Sequence, residues 1–394
     1  MRVLVVSHTY MVRINRDKLY ELARHDDVEV YLITPKKWDT GMHLLESKQF
    51  EGENIRVIPL RTMLAGNEAF YFYLPSYFFQ IRKIRPDIIH VEQGAGAFSY
   101  FQTLIARKVF AREAKCLFFT WVNCEVGNRF PLSFFERFNL SHSDYAICGN
   151  REAADLLRRK GFEKPIKVLP QLGVDTELFR KKDANDLKTR LGFEHFTIGF
   201  IGRLVREKGV LDLVEAVSRL KVPFHLLIVG SGDLKEAILR RAAESGISEK
   251  VKIVDSVPHE QVVDYLNCLD VLVLPSRTTQ NWKEQFGHVL IEAMACEVPV
   301  IGSSSGEIPN VIGDAGLIFE EGSVEDLCRK LESLMKNGQV RSRLASAGRE
   351  RVLRKYTHQE IAQEMLKVFR ELIALGQSIA EEEWVEVDES EPRP

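Results

Sequence analysis

The chain has 394 residues, 45% of them hydrophobic and 28% charged, a composition typical of globular proteins. Its formal net charge is −2, and no nucleic-acid partner is predicted. No apolar run of about 18 residues occurs, so no membrane-spanning helix is expected. Met1-Arg2 leads straight into a strand without a secretion signal, and the six cysteines form no CxxC pair, which favours reduced thiols in a cytoplasmic protein.

The first half of the chain alternates β-branched runs with amphipathic helical stretches such as 17–25 and 151–160. This alternation predicts βαβ units and a parallel sheet that is covered on both faces. The predicted strands are Arg2–Ser7, Val28–Thr34, Ile55–Leu60, Asp87–Glu92, Lys115–Trp121, Tyr145–Cys148 and Ile166–Pro170.

One aromatic stretch in this half allows two interpretations. Residues 70–79 read FYFYLPSYFF, with seven aromatics in ten, and the basic run IRKIR follows at 81–85. Packing in the core of the first domain is the favoured interpretation. The alternative is peripheral docking on an anionic membrane, because aromatic and basic side chains together suit its interface.

Residues 171–194 are polar and interrupt the pattern, which then restarts in a second unit of similar size. We therefore predict an N-terminal domain over 1–172, a C-terminal domain over 173–357, and a disordered acidic tail over 379–394. The strands predicted in the second domain are Thr197–Ile201, Phe224–Val229, Val251–Val254, Val271–Leu274, Val298–Gly302 and Gly316–Phe319. Ligands of such sheets bind beyond the carboxyl ends of the strands, so the site is expected in a cleft between the domains.

The stretch EQFGHVLIE at 284–292 is the strongest candidate for a site. It follows the strand VLVLP and opens the helix HVLIEAMAC, so a loop leads from a strand end to a helix N-terminus. Free N–H groups and the positive dipole end suit an anion there, and Gly287 allows close approach. Glu284 and Glu292 flank this point. Like charges repel, so we expect these carboxylates to accept hydrogen bonds from sugar hydroxyls rather than to touch phosphate.

Three further loops follow strands of the second domain. Gly202 and Arg203 come directly after the first strand, and Lys208 precedes the next helix. The arginine fork and the lysine ammonium would bind a diphosphate together with the helix at Gly287. Gly230 and Gly232 lie in the turn VGSGD, but Lys235 replaces the third glycine of a dinucleotide fingerprint. Gly306 and Glu307, in SSSGEIP, are expected to border the same cleft.

Several enzyme classes are disfavoured because their motifs are missing from the sequence. It contains no GxxxxGK[ST], HExxH or GxSxG segment, which argues against P-loop NTPases, zincins and α/β-hydrolases. No Asp-x-Asp cluster suggests a metal site, so neither a metal nor another cofactor is expected.

The order GRLVREKG, VGSG, EQFGHVLIEAMA and PVIGSSSGEIP resembles the retaining family-4 (group 1) glycosyltransferases of the GT-B fold, which have two Rossmann-like domains. The Glu-x7-Glu spacing around Phe-Gly is the specific part, and the resemblance covers essentially the whole second domain. The first domain is similar more loosely, through DIIHVEQGAGA, SDYAICGN and IKVLPQLGVD. The resemblance also implies that a closing helix, about 358–378, packs back on the first domain.

The resemblance implies roles for individual residues. Glu284 would contact the transferred sugar and Glu292 the ribose, while Arg203 and Lys208 would hold the donor diphosphate. The turn Phe286-Gly287-His288 would present amides to sugar and phosphate. Among these, Glu284, Arg203 and Lys208 are the candidate catalytic residues, together with His90 at a first-domain strand end.

The acceptor side departs from the family pattern. The loop after the first strand reads SHTYMVRINR where many members carry Gly-Gly, and Asn123 stands near the position of a frequent histidine. Arg13, Arg16 and Asn123 are therefore candidate acceptor contacts only by position.

The predicted reaction is metal-independent transfer of a hexosyl group from a nucleotide-diphosphate sugar to a hydroxyl acceptor with retention of configuration. UDP-sugar is the favoured donor and GDP-mannose the next. A glycan, glycolipid or small molecule would be the acceptor, in cell-surface glycan, glycolipid or polysaccharide biosynthesis, and the location would be cytoplasmic or peripheral on the inner face of the membrane. The alternatives are a nucleotide-sugar epimerase, a phosphorylase or a non-catalytic nucleotide-sugar-binding scaffold.

Overall fold

The structure, a computed structural model, describes residues 1–385 apart from 42, 126 and 128, with side chains described to residue 374. The chain divides into two compact units by its internal contacts. Unit 1 comprises Met1–Val122, Val126–Leu172 and the chain from Ile361 onward, and unit 2 comprises Asn123–Glu125 and Gly173–Glu360.

Unit 1 is built on an eight-stranded sheet in the order β12-β11-β10-β9-β1-β2-β6-β5, in which only the β5–β6 pair is antiparallel. All seven predicted strands are confirmed within it. Its elements are β1 Arg2–Val6, α1 Asp17–Ala23, β2 Glu29–Pro35, β3 Lys37–Asp39, β4 Leu44–Glu46, β5 Phe50–Glu51, β6 Ile55–Leu60, β7 Thr62–Met63, β8 Phe72–Tyr73, α2 Ser76–Ile84, β9 Ile88–Val91, α3 Phe98–Phe110, β10 Lys115–Thr120, α4 Leu132–His142, β11 Tyr145–Cys148, α5 Arg151–Arg159 and β12 Ile166–Val168.

The sheet of unit 1 is buried on both faces, which explains its nearly continuous apolar strands. Side chains alternate along a strand, so Val3 and Val5 of β1 pack in one core while Leu4 and Val6 pack in the other. The aromatic stretch contributes mainly to the second of these cores, since Tyr71, Tyr73 and Tyr77 are buried in it. The packing interpretation therefore accounts for most of this stretch.

Unit 2 contains a fully parallel six-stranded sheet in the order β15-β14-β13-β16-β17-β18, and the six predicted strands are confirmed. Its elements are α6 Asn185–Leu191, β13 Phe196–Ile201, α7 Val210–Ser218, β14 Phe224–Val229, α8 Lys235–Glu244, β15 Val251–Val254, α9 His259–Leu266, β16 Val271–Leu274, α10 His288–Ala295, β17 Val300–Ser303, α11 Ile308–Ile312, β18 Leu317–Phe319, α12 Val324–Lys336 and α13 Gly338–Lys355.

The topology of unit 2 marks one place in its sheet as a ligand site. Strands β14 and β15 follow β13 on one side of it in the sheet, and the chain then crosses back to place β16 on the other side of β13. The crevice beyond the carboxyl ends of β13 and β16 is thus a topological switch point, where doubly wound sheets bind ligands. The loops that leave these strands carry the predicted donor residues.

The closing helix, α14, spans His358–Val385. Ile361, Met365 and Phe369 pack in a core of unit 1 together with Val3 and Val5 of β1. Of the predicted acidic tail, residues 386–394 lie outside the described residues. Across the described part of the chain, no helix combines the length and the apolar character needed to cross a membrane.

Candidate functional site

The loops after β13 and β16 are tied together at the switch point. Gly209, at φ +64°, lies so close to the end of β16 that a Cβ there would be 1.9 Å from the carbonyl oxygen of Pro275. The amide of Arg277 also donates to the carbonyl of Glu207 at 2.8 Å. Only glycine combines this backbone conformation with this close approach, so Gly209 fixes the distance between the two loops.

This junction brings Lys208 and Glu284 together. The Lys208 Nζ donates to Glu284 Oε2 at 2.6 Å, and the Ser276 hydroxyl donates to the same oxygen at 2.7 Å. The side chains retain only 16% and 7% exposure. The Lys208 ammonium also lies 5.0 Å from the ring centroid of Trp282, a cation–π contact that adds to its positioning.

The backbone of Glu284 is held from the β17 side. The amide of Glu307 donates to the Glu284 carbonyl at 3.1 Å. Gly306 has φ +52°, and a Cβ on it would lie only 2.1 Å from the Glu284 carbonyl oxygen. Gly306 and Glu307 therefore support the loop that carries Glu284. This hydrogen bond joins the EQFG loop, which follows β16, to the SSSGEIP loop, which follows β17.

Glu292 lies on α10 and is also paired. Its Oε1 is 2.9 Å from Nε2 of His259, the first residue of α9, and its side chain is 13% exposed. The hydrogen bond with Glu292 raises the pKa of His259, and the carboxylate charge adds to this effect against the opposing influence of burial. The bond therefore favours the protonated imidazole of His259.

Gly287 caps α10 in the left-handed conformation, at φ +83°. A Cβ there would be 2.7 Å from the Leu274 side chain, so glycine is needed for packing as well as for conformation. The start of α10 follows the loop that leaves β16, and a helix N-terminus in such a place suits an anion. Phe286 is buried, with its ring 5.6 Å from that of Tyr356 and 4.9 Å from that of His288, so its side chain anchors the turn.

The remaining glycines predicted for the donor support the floor of the site. A Cβ at Gly230 would be 1.9 Å from the Gly202 carbonyl oxygen, and one at Gly232 would be 2.4 Å from the Leu204 carbonyl oxygen. The loops after β13 and β14 therefore pack backbone against backbone. Arg203 is 66% exposed, and its guanidinium is 4.0 Å from Glu207, which leaves it accessible to a ligand.

His90 is buried in unit 1, where β9 pairs with β1 and β10. Its exposure is 1%, and burial lowers its pKa to about 4. Within the part of the chain that the structure describes, neither ring nitrogen has a hydrogen-bond partner, and the ring packs against Phe369. The structure thus places His90 in the core of unit 1.

Near His90, the Glu92 carboxylate is the centre of a buried hydrogen-bond network. The carboxylate accepts hydrogen bonds from Lys18 Nζ at 2.7 Å, from Gln171 Nε2 at 2.8 Å and from the Tyr10 hydroxyl at 2.5 Å. Lys18 and Glu92 are fully buried, and the attraction of Lys18 keeps the pKa of Glu92 low against the effect of burial. This network fixes the loop after β1 to β9 and was not predicted from the sequence.

The three candidate acceptor residues have different surroundings. Arg13 is exposed on the loop after β1. Arg16 is buried, and its Nε donates to the Tyr10 carbonyl at 2.6 Å, so it stabilises that loop. Asn123 belongs by its contacts to unit 2, where its amide donates to the Glu284 carbonyl at 3.5 Å. These three side chains are not gathered in one place within a single unit.

Residues 182–351, most of unit 2, match the model of the family described as "Glycosyl transferases group 1". Most of unit 2 is thus similar to the group 1 glycosyltransferases. The site described above, with Glu284, Lys208 and Glu292, lies within the segment that matches this family.

Curated glycosyltransferases are similar to about half of this chain. The chain is 29% identical over 205 residues to the capsular polysaccharide biosynthesis glycosyltransferase CapM of Staphylococcus aureus, covering 50% of this chain and 52% of CapM. It is 33% identical over 203 residues to a GDP-mannose-dependent monoacylated alpha-(1-6)-phosphatidylinositol monomannoside mannosyltransferase of Corynebacterium glutamicum, covering 49% and 52%. The chain thus matches about half the length of these relatives.

Solved structures extend the likeness to nearly the whole chain. Sucrose-phosphate synthase of Thermosynechococcus elongatus superposes with a TM-score of 0.71 at 20% identity, over 95% of this chain and 100% of that one. HepE of Anabaena, solved with UDP and glucose, superposes with a TM-score of 0.66 at 16% identity, over 94% and 100%. At such identities the likeness concerns the fold, and it confirms the GT-B class with two Rossmann-like domains.

The sequence did not reveal Ser276, Trp282 and His259 as partners of the site. Ser276 follows VLVLP directly, so its place at a strand end was the available signal. His259 lies far from Glu292 in the sequence, and no local pattern indicates that α9 and α10 would bring them together.

Proposed function

We propose that this protein is a retaining, metal-independent hexosyltransferase that uses a nucleotide-diphosphate sugar as donor and a hydroxyl group as acceptor. The observation that carries the proposal is the Lys208–Glu284 pair at the switch point of unit 2, beside the start of α10. A diphosphate linked to a sugar would bind to a cation and a helix N-terminus through its phosphates, and to a carboxylate that accepts hydrogen bonds from the sugar hydroxyls.

In the proposed mechanism, the departing nucleotide diphosphate gains charge as the bond to the sugar breaks. Arg203, Lys208 and the amides at the start of α10 would stabilise that charge. Lys208 is already held by Glu284 and Trp282, so it needs little reorganisation. Glu284 would accept hydrogen bonds from sugar hydroxyls and Glu292 from ribose hydroxyls. The diphosphate itself would take the proton of the acceptor hydroxyl on the face that it leaves, which accounts for retention.

A UDP-sugar is the proposed donor, with GDP-mannose next, and a glycan, glycolipid or small molecule is the proposed acceptor. The relatives support both donors, since one is described as GDP-mannose-dependent and HepE was solved with UDP. Their names also support polysaccharide or glycolipid biosynthesis as the context. The cytoplasmic location, with contact to the inner face of the membrane, stays a prediction.

The test is to incubate the protein with single nucleotide-sugars and a panel of hydroxyl acceptors, in a chelator, and to follow products by NMR. We expect release of one nucleoside diphosphate and a new glycoside with the anomeric configuration of the donor. Glu284→Gln should lower turnover about ten- to a hundredfold, the loss expected for one hydrogen bond to a charged group. The exposed Glu249→Gln variant is the matched control and should be fully active.

Each alternative function has its own result in this assay. A new nucleotide-sugar epimer without release of nucleoside diphosphate would favour an epimerase, and sugar phosphate formed from a glycan and phosphate would favour a phosphorylase. Tight nucleotide-sugar binding without any product would favour a scaffold. Equal turnover by Glu284→Gln and the wild type would contradict the proposed site.

A further inference from the structure

An exposed apolar and cationic surface lies on unit 1, around the ends of α2 and α3. Helix α2 buries one stripe of its side chains, and Phe79, Arg82 and Lys83, spaced i, i+3 and i+4, share the opposite stripe. Phe79 is 70% exposed although it is large and apolar. It is the part of the aromatic stretch that packing does not explain.

The last turn of α3 continues this surface. Val109 is 58% exposed and Phe110 is 36% exposed, and the Phe110 ring lies 6.2 Å from that of Phe78 on α2. A groove of about 1100 Å³ joins the two helix ends, with Arg82, Arg85, Val109, Phe110 and Arg112 among its lining residues. The α2–α3 face is defined here as Phe79, Arg82, Lys83, Arg85, Val109, Phe110 and Arg112.

The cations of the α2–α3 face form no ion pairs within the described part of the chain. Among the side chains described, no carboxylate lies within ion-pair distance of any of the four, which are Arg82, Lys83, Arg85 and Arg112. Two carboxylates occur nearby, Glu113 and Asp87, and the latter accepts a hydrogen bond from the backbone amide of Arg2. Cations therefore outnumber acids on a surface that also exposes three large apolar side chains.

Arg85 is an outlier in backbone conformation. It ends α2 at φ +49° and ψ +62°, in the left-handed region where glycine is normally preferred. The left-handed conformation of residue 85 allows the chain to turn from α2 into β9, but this turn does not need an arginine side chain. A cation therefore stands at a position where glycine would be less strained.

We propose that the α2–α3 face docks on the surface of an anionic lipid bilayer. Phe79, Val109 and Phe110 would enter the interface, and the surrounding guanidinium and ammonium groups would contact headgroup phosphates. Charge complementarity favours this occupant, because a fluid anionic surface can accommodate separate apolar side chains that lie among long cationic ones. The proposal rests on unit 1 alone and does not depend on the sugar-transfer proposal.

The two kinds of side chain give separable contributions. Each cation near an anionic surface strengthens binding roughly fivefold, so Arg82→Ser with Lys83→Ser should weaken it by about thirtyfold. Burial of one phenylalanine at the interface should contribute roughly tenfold, and Phe79→Ser should lose that factor. Salt should weaken the cationic part and leave the apolar part nearly unchanged.

The experiment is vesicle flotation of the full chain with phosphatidylcholine vesicles and with mixed phosphatidylcholine–phosphatidylglycerol vesicles. We expect the wild type to float with the mixed vesicles only, and both variants to float less by the stated factors. Arg343→Ser with Arg354→Ser, and Leu353→Ser, change similarly exposed residues on α13 and should float like the wild type. Arg85→Gly should float less while melting at least as high as the wild type, since glycine adopts the left-handed conformation without strain.

Three results would overturn the proposal. The wild type could stay unbound with mixed vesicles, it could bind neutral vesicles equally well, or the α2–α3 variants could float like the α13 controls. A dimer in sedimentation velocity that Phe79→Ser dissociates, without vesicle binding, would instead assign this face to a second copy of the chain. Circular dichroism of each variant verifies that weaker flotation does not come from unfolding.

Discussion

The Lys208–Glu284 pair allows a quantitative test of the site through a double-mutant cycle. Lys208→Met would leave the Glu284 carboxylate, 7% exposed, with Ser276 as the hydrogen-bond donor that the described side chains still supply. Removing one partner of a buried ion pair costs about 3–5 kcal/mol. Since Lys208 keeps 16% exposure, we expect a loss of about 3 kcal/mol in the free energy of unfolding.

The other two corners of the cycle should be less destabilised. In Glu284→Gln, the Ser276 hydroxyl keeps a carbonyl acceptor, and the Lys208 ammonium stays near the Trp282 ring and reaches water, so we expect a loss of about 1 kcal/mol. In the double variant no charge is left without its partner. Its loss should fall well below the sum of the single losses, with a coupling free energy of about 2 kcal/mol.

Ligand binding separates the roles of the two residues. Lys208→Met should weaken nucleoside diphosphate binding about ten- to a hundredfold, because one charged hydrogen bond to phosphate is lost. Glu284→Gln removes a negative charge and frees the Lys208 ammonium, so this variant should bind the diphosphate at least as tightly as the wild type while its turnover falls.

The assays are urea unfolding, with equal slopes required across the cycle, and titration calorimetry with the nucleoside diphosphate. The reasoning is refuted if Lys208→Met loses less than about 0.5 kcal/mol of stability, a typical surface effect. It is also refuted if Glu284→Gln and Lys208→Met weaken diphosphate binding equally.

Three further predictions concern pH and backbone packing. Burial lowers the pKa of His90 from 6.5 to about 4, so between these values the unfolded chain binds a proton that the folded chain does not. The free energy of unfolding should therefore fall by about 3 kcal/mol as the pH drops through this window, and His90→Leu, measured by urea unfolding at several pH values, should lack this loss. The Glu292 hydrogen bond raises the pKa of His259, so the stability that it provides is complete below the ordinary histidine pKa and is lost as the pH rises through the raised pKa. The melting temperature of His259→Asn should therefore not respond to the titration of this histidine. Equal pH profiles for the variant and the wild type would contradict the His259–Glu292 hydrogen bond. Gly230→Ala would place a Cβ 1.9 Å from the Gly202 carbonyl oxygen, whereas Gly246, also at positive φ, has nothing within 4 Å. Gly246→Ala should thus lose about 1 kcal/mol through strain alone and Gly230→Ala clearly more, and equal losses in urea unfolding would argue against close packing of the β13 and β14 loops.

The parallel sheets could be predicted from the sequence because strands buried on both faces are continuous apolar runs with short connections. The strand pairs β3–β4 and β7–β8 were not predicted, since strands of two or three residues carry no periodicity. The loop at 284–292 was recognisable because a strand end, a glycine and a helix start follow one another locally.

The partners of the site were harder to predict because they meet only through tertiary structure. The spacing of 33 residues between His259 and Glu292 carries no signal, and the two are joined by the packing of α9 on α10. Arg16 illustrates the converse case. An arginine in the loop after β1 suggested a ligand contact, but its guanidinium is satisfied by the Tyr10 carbonyl and the Ser47 hydroxyl.

The most direct test of the central claim is thermal stabilisation by UDP, GDP and ADP, each with and without its sugar, in the presence of a chelator. A ligand that binds only the folded chain raises its melting temperature by mass action. We expect the nucleoside diphosphate of one base to raise the melting temperature of the wild type, and the nucleotide-sugar of that base to do the same. Lys208→Met should lose most of this increase in melting temperature. A folded wild type that no nucleotide or nucleotide-sugar stabilises would contradict the account of unit 2 as the donor site.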